Sequence, residues 1–230
     1  MKRTIIAFIF SCFALIATSQ DRSAFISLQT GPSVPVGKYQ AQELEKPAGS
    51  FATTGISVSL EGAWFFKPWL GVGGQFGMHF HPVDVSTLGY YKVIEDPFMN
   101  DVYIRSDPYR NYALYAGLYF EQPVIQRLSF TAKALGGVLF SKTPYQLYKA
   151  EYEMAGLQYY EITTSGDLEG SFMAGAGLKY SLKNCIGFTL NGEFTYNQCD
   201  FDFEKLDGSI RTDQKVIAFV NILAGIFLQL

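Results

Sequence analysis

His79 and His81 are the only two histidines of the 230-residue chain, and they stand two positions apart. A histidine beside a hydroxyl nucleophile and a carboxylate is what acyl hydrolysis or transfer requires. Two alternate imidazoles could instead ligate a metal, though a pair alone does not complete a site. Serines, threonines and glutamates are plentiful, but no spacing gives either histidine a partner. Asp200, Asp202 and Glu204 alternate before Asp207-Gly208 as in a calcium loop, yet Lys205 stands where the EF-hand order requires glycine. The sequence therefore singles out no catalytic residue, no metal ligand set and no cofactor motif. The charges with the most consistent placement are Glu61, Lys133, Glu169, Lys179 and Glu193, each on the polar side of an alternating segment. Gathered on one face in a low-dielectric interior, they would pair and hydrogen-bond, because unpaired buried charge is costly.

Strands must position those residues. Leu70, Val72, Phe76, Met78 and Phe80 alternate with Gly71, Gly73, Gln75, Gly77 and His79. Tyr112, Leu114, Ala116, Leu118 and Phe120 alternate with Asn111, Ala113, Tyr115, Gly117 and Tyr119. Ile186, Phe188, Leu190, Phe194 and Tyr196 alternate with Gly187, Thr189, Asn191, Glu193 and Thr195. The same period-two reading fits segments near 24–32, 52–65, 128–141, 167–182 and 215–230, which makes eight strands. Fifteen tyrosines, 20 phenylalanines and 22 glycines suit twisted strands better than helices.

Composition narrows the setting. Apolar residues make up 48% of the chain and charged residues only 17%, below the roughly 25% charged of soluble domains. Met1-Lys2-Arg3, the apolar run Thr4–Ala17 and small residues at Ala17 and Ser19 have the form of an export signal over residues 1–19, leaving one domain over 20–230. Without Lys2 and Arg3 the domain has 16 basic against 21 acidic residues, a net charge of −5. Such a chain has no basic footprint for nucleic acid. Cys185 and Cys199 fall at opposite ends of one strand, too far apart to be bonded.

The connections alternate too. Short turns at Phe66-Lys67-Pro68, Glu121 to Arg127 and Lys183-Asn184-Cys185 separate long segments near 33–51, 82–109, 142–166 and 198–214. That rhythm matches a transmembrane β-barrel with tight periplasmic turns and large extracellular loops. A soluble lipocalin-like barrel also has eight strands, but its exterior is charged. Here one face of each strand is nearly uncharged and the other is small or ionic, so lipid outside and a polar lumen is the better reading. Trp64, Phe66 and Trp69 bracket the first short turn, where an aromatic girdle would meet the periplasmic interface. Phe25, Ile217, Phe219, Leu223 and Phe227 break the pattern, placing an apolar stripe inside the barrel at the seam between first and last strands. It would either pack as core or hold an acyl chain. Among the tyrosines of the long segments, Tyr90, Tyr91, Tyr103, Tyr148, Tyr159 and Tyr160 are candidates for extracellular recognition, because tyrosine offers large amphipathic contact area at low entropy cost.

With the strands placed, the chain resembles the small outer-membrane β-barrel domain family of Gram-negative bacteria. The resemblance rests on Gly31-Pro32-Ser33-Val34-Pro35-Val36-Gly37-Lys38-Tyr39 closing the first strand, Ala48-Gly49-Ser50-Phe51-Ala52 opening the second, and the Trp64 to Gly74 hairpin. It implies an all-β, eight-stranded antiparallel up-and-down barrel in the outer membrane, with no catalytic residues to carry over. The expected role is structural, surface-recognition or accessory to envelope assembly. The expected partners are outer-membrane lipid, lipopolysaccharide and an envelope protein. The alternatives are a lipid-binding or lipid-modifying barrel enzyme and a narrow channel.

Overall fold

Alternation at period two becomes a closed ring of strands. The computed structural model describes residues 24–42, 49–183, 185–204 and 210–230. The expected leader, residues 1–19, lies outside them. In chain order the elements are β1 (Ala24–Pro35), β2 (Gly55–Lys67), β3 (Leu70–His81), α1 (Val85–Glu95), β4 (Met99–Ser106), β5 (Tyr109–Ile125), β6 (Leu128–Lys142), β7 (Gln146–Tyr152), β8 (Gly156–Ile162), β9 (Gly166–Lys183), β10 (Ile186–Glu204) and β11 (Ile210–Gln229). Eight of them run up and down around the barrel in the order β1-β2-β3-β5-β6-β9-β10-β11, each antiparallel to its neighbours. Pairing of β1 with β11, from Phe25 opposite Gln229 to Pro35 opposite Phe219, closes the ring and leaves no free edge.

In all eight strands the lumen takes the odd-numbered positions. The even-numbered ones form an apolar outer band that includes Leu28, Leu60, Val72, Leu114, Phe172, Leu190 and Ile226. Leu190 is 52% exposed and its neighbour Asn191 only 4%, which is the inverse of a soluble protein's preference. A uniformly apolar exterior around a polar interior is the arrangement of a membrane-spanning barrel. It also gives a test of phase, since a one-residue slip exchanges the two faces. Leu190→Arg, near the middle of the outer band, is expected to lower barrel stability by about 2–4 kcal/mol. The check is urea unfolding in lipid vesicles, and an unchanged midpoint would contradict lipid contact at this position.

Two of the expected boundaries move. The segment Glu121 to Arg127 is mostly strand, with β5 reaching Ile125 before a tight turn into β6. The segment 198–214 is likewise largely a continuation of the β10–β11 hairpin, whose paired register extends to Glu204 opposite Ile210. The segments 82–109 and 142–166 fold into a cap, in which α1 packs on a separate three-stranded sheet of order β4-β7-β8. Asp84 caps α1, accepting from the Thr87 backbone N–H at 3.1 Å and the Thr87 hydroxyl at 2.7 Å.

Candidate functional site

The lumen is built in layers by inward side chains from opposite walls. Its centre is Lys133 on β6. The Lys133 ammonium donates to Glu61 of β2, pairs with Glu193 Oε1 of β10 at 2.7 Å and donates to Gln75 Oε1 of β3 at 2.8 Å. Gln75 Nε2 in turn donates to Glu193 Oε2 at 3.0 Å. Gln29 Nε2 on β1 donates to Glu61, and Asn191 Nδ2 donates to Gln29 Oε1 at 2.7 Å. Five strands are thereby tied across the lumen by buried, charge-assisted hydrogen bonds. Gly177 makes room for this layer, since a Cβ there would fall 1.8 Å from Asn191 Oδ1.

A second layer lies nearer the short turns. Lys179 Nζ on β9 pairs with Glu121 Oε2 at 3.0 Å and sits 3.0 Å from the Phe25 ring centre and 5.3 Å from that of Phe227. The aromatic faces take up part of the ammonium's field where water cannot reach it. The cavity among Phe25, Glu61, Tyr119, Lys133 and Lys179 is about 10 Å³, room for one water at most.

The third layer closes the long-loop end. A turn over Gly37–Tyr39 follows β1, and Gly37, with φ of 59°, supplies the left-handed residue that turns Tyr39 into the barrel mouth. Tyr39 is fully buried, edge-on to His81 at 5.2 Å and to Tyr109 at 5.4 Å. Burial holds its phenol well above the ordinary value, so it stays an O–H donor. Asn111 Nδ2 donates to the Tyr39 oxygen at 3.1 Å, and Tyr39 lies 3.2 Å from His81 Nδ1. With Tyr39 donating there, His81 carries its proton on Nε2 and gives it to Ser33 Oγ, 2.8 Å away. That tautomer cannot take a proton from Ser33, as a general base must. His79 Nδ1 lies 2.8 Å from Ser57 Oγ, and both imidazoles pack on Phe219, at 4.6 and 5.1 Å. No carboxylate is hydrogen-bonded to either histidine among the described residues, and both are sealed from solvent. The Ser–His pairs bind the wall of the barrel together.

Several sequence expectations need correction. Glu61, Lys133 and Glu193 meet, and Lys179 lies below them, but Glu169 is exposed and joins no ion pair among the described residues. Glu121, read as part of a turn, takes that place because β5 extends through it. Phe25, Ile217, Phe219, Leu223 and Phe227 are all buried inside, and Phe25, Ile217, Phe219 and Phe227 belong to the core of the barrel. Phe219 lies against both histidines, and Phe25 and Phe227 lie beside Lys179. Gln29, Gln75, Asn111 and Asn191 had no signal as network members beyond their inward parity, and Tyr39, outside the alternating segments, had none. Trp64, Phe66 and Trp69 are exposed around the first short turn.

The recognition tyrosines divide as well. Tyr90, Tyr91, Tyr103, Tyr159 and Tyr160 are exposed on the cap, with Tyr103 at 69% and Tyr159 at 65%. Tyr148 is 1% exposed and therefore no surface candidate. It stacks on Tyr160 at 4.6 Å and packs with Phe51, Leu88 and Ile104 as the core of the cap. On the opposite, outward face of the cap sheet, Tyr103, Lys149 and Tyr159 share one cross-strand row.

No family model matches the sequence, and no curated protein matches it. Among solved structures, Neisserial surface protein A shares 9% identity at a TM-score of 0.47, the match covering 90% of this chain and 97% of that one. A major outer membrane protein from Thermus thermophilus shares 12% at 0.46, covering 90% and 100%. The attachment invasion locus protein of Yersinia pestis shares 15% at 0.43, covering 90% and 99%. At such identities the likeness is to a fold, and nothing of what these proteins do passes to this chain.

Proposed function

We propose that the protein is an integral outer-membrane barrel, closed to solutes, whose role is recognition at the cell surface through its folded cap. The observation that carries this reading is the cross-lumen network centred on Lys133, with Tyr39 as a stopper above it. A barrel filled in this way is a rigid support, which leaves the cap as the part elaborated for function. The short-turn end would face the periplasm and the cap the exterior. The outward face of the cap sheet suits a protein partner. It offers Tyr103 and Tyr159 as broad amphipathic contacts. Its mixed charges, Arg105 and Lys149 among Asp101, Glu151 and Glu161, form no cationic cluster for lipid phosphates.

Two measurements test this. In planar bilayers the purified protein is expected to give no stable current steps, and sustained conductance would overturn the closed-barrel reading. A photo-crosslinking residue at position 103 or 159 is expected to give a discrete protein adduct on intact cells, absent for the lipid-facing position 28. Adducts at none of these positions, or at position 28 alone, would overturn recognition by this face.

A further inference from the structure

Among the described residues, β8 (Gly156–Ile162) pairs with β7 alone, and its other edge has no partner. All seven of its residues are exposed, those of both faces alike. The inward row shows where the packing stops. Tyr148 and Gln146 of β7 are buried, while Tyr160 and Ile162 opposite them are 37% and 39% exposed. The core of the cap therefore ends one strand short of its edge. A bare edge presents alternate N–H and C=O groups to any other chain, and proteins blunt it with charge, proline, bulges or a cover. The opposite edge, β4, has three of these devices. Its register with β7 shifts between Met99 and Asp101, it carries Asp101 and Arg105, and α1 packs against it at Val102 and Ile104. Strand β8 has no proline, lysine or arginine, no shift in its register with β7, and Glu161 as its one charge.

The chemistry of such an edge sets what it can hold. Its backbone groups recur at the spacing of an extended chain, about 3.3 Å per residue, so an extended polypeptide satisfies them in series and a lipid or small solute does not. Leu157, Tyr159, Tyr160 and Ile162 call for apolar partners at the same alternation. Glu161 calls for a cation. A second copy of β8 does not supply one. The antiparallel register that pairs all seven residues centres on Tyr159 and sets Glu161 against Leu157, beyond which stands Glu151 of β7. We propose that an extended segment of a protein partner adds to β8 as a fourth strand of the cap sheet, apolar on its inward side and with lysine or arginine opposite Glu161. This rests on the reading that the cap meets a protein partner, and it names the edge and the backbone pairing by which that partner is held.

The test uses the full chain in lipid nanodiscs and synthetic octapeptides alternating valine with threonine, in which one threonine is kept or is replaced by lysine or by glutamate. Amide hydrogen exchange of β8 is followed by NMR as each is added. The lysine peptide is expected to bind saturably with Kd of about 1 mM or tighter, and to slow exchange at alternate residues of β8, whose N–H groups face the free side. Glu161→Gln should weaken it by about threefold, the worth of one exposed cross-strand charge pair. On cells, the adduct expected at position 159 should be lost when Gln158→Lys and Ile162→Lys guard the edge, since both leave the outward face as it is. Strand addition is overturned if no peptide binds saturably, if binding leaves β8 unprotected, or if the glutamate peptide binds as tightly as the lysine one. Protection of β8 without peptide, in discs that hold two copies, would make the occupant a second copy and overturn it too. An adduct at 159 that survives both lysines would overturn strand addition and leave recognition by the outward face standing. No adduct at 103 or 159 would overturn that recognition, and the peptides then judge the edge without it.

Discussion

Lys133→Met is expected to destabilise the folded barrel by about 3–5 kcal/mol, the effect of removing one partner from a buried ion pair. The substitution keeps most of the side-chain volume, so the loss reports charge rather than a cavity. It leaves Glu61 and Glu193, both almost fully buried, without the ammonium that pairs with them. Two carboxylates in that position repel, and the ion pairs both made with Lys133 are lost, while Lys179 remains paired with Glu121. The same logic predicts rescue. Adding Glu61→Gln and Glu193→Gln to Lys133→Met should recover most of the stability, because neutral amides can hydrogen-bond to Gln29 and Gln75 without a counter-charge. Urea midpoints in lipid vesicles, read by the shift between folded and unfolded bands on unheated gels, measure both steps. If Lys133→Met leaves the midpoint in place, the network does not hold the barrel; if the triple variant stays as weak as the single one, charge is not the cause.

Phe219→Ala should cost a similar amount, about 3–5 kcal/mol, by a different mechanism. Phe219 is fully buried and is the ring on which both histidines pack. Removing it opens an apolar hole beside two imidazoles already committed to Ser33, Ser57 and Tyr39, so the surroundings have little freedom to collapse. Phe188→Ala removes the same ring from the outer band, where lipid can close over the gap, and should cost much less. Equal losses at 219 and 188 would mean that the two faces of the barrel are not distinguished in the way the structure has them.

The membrane-facing band and the inward set were legible in the residues themselves because side chains alternate along a strand. Phe188 and Leu190 against Thr189 and Asn191 is a pattern that one register satisfies and a shifted one inverts. Eight such segments, joined by short turns and long connections in alternation, left few topologies available. The cap was not legible, for a related reason. Strand β7 turns Gln146 and Tyr148 inward and Leu147 outward, so its burial does not follow polarity. Helix α1 is built from Val85, Val93, Ile94 and two adjacent tyrosines, residues with weak helix propensity, and is held by its Asp84 cap and its packing on Val102 and Ile104.

Parity along the chain determined which charges could enter the lumen, but it carried no information on height or on position around the ring. Glu169 and Glu193 have the same parity, yet one emerges near the open end and is exposed, while the other reaches Lys133. Glu121 and Lys179 are 58 residues apart and meet only because β5 and β9 both flank β6 at the same level. Tyr39 closes the mouth because Gly37 turns the chain back over the first strand, a path that no periodicity encodes. Alternation is a local consequence of backbone geometry and can be read from neighbours in sequence. Which inward groups share a layer depends on strand tilt and on closure of β1 against β11, and these exist only once the ring has formed.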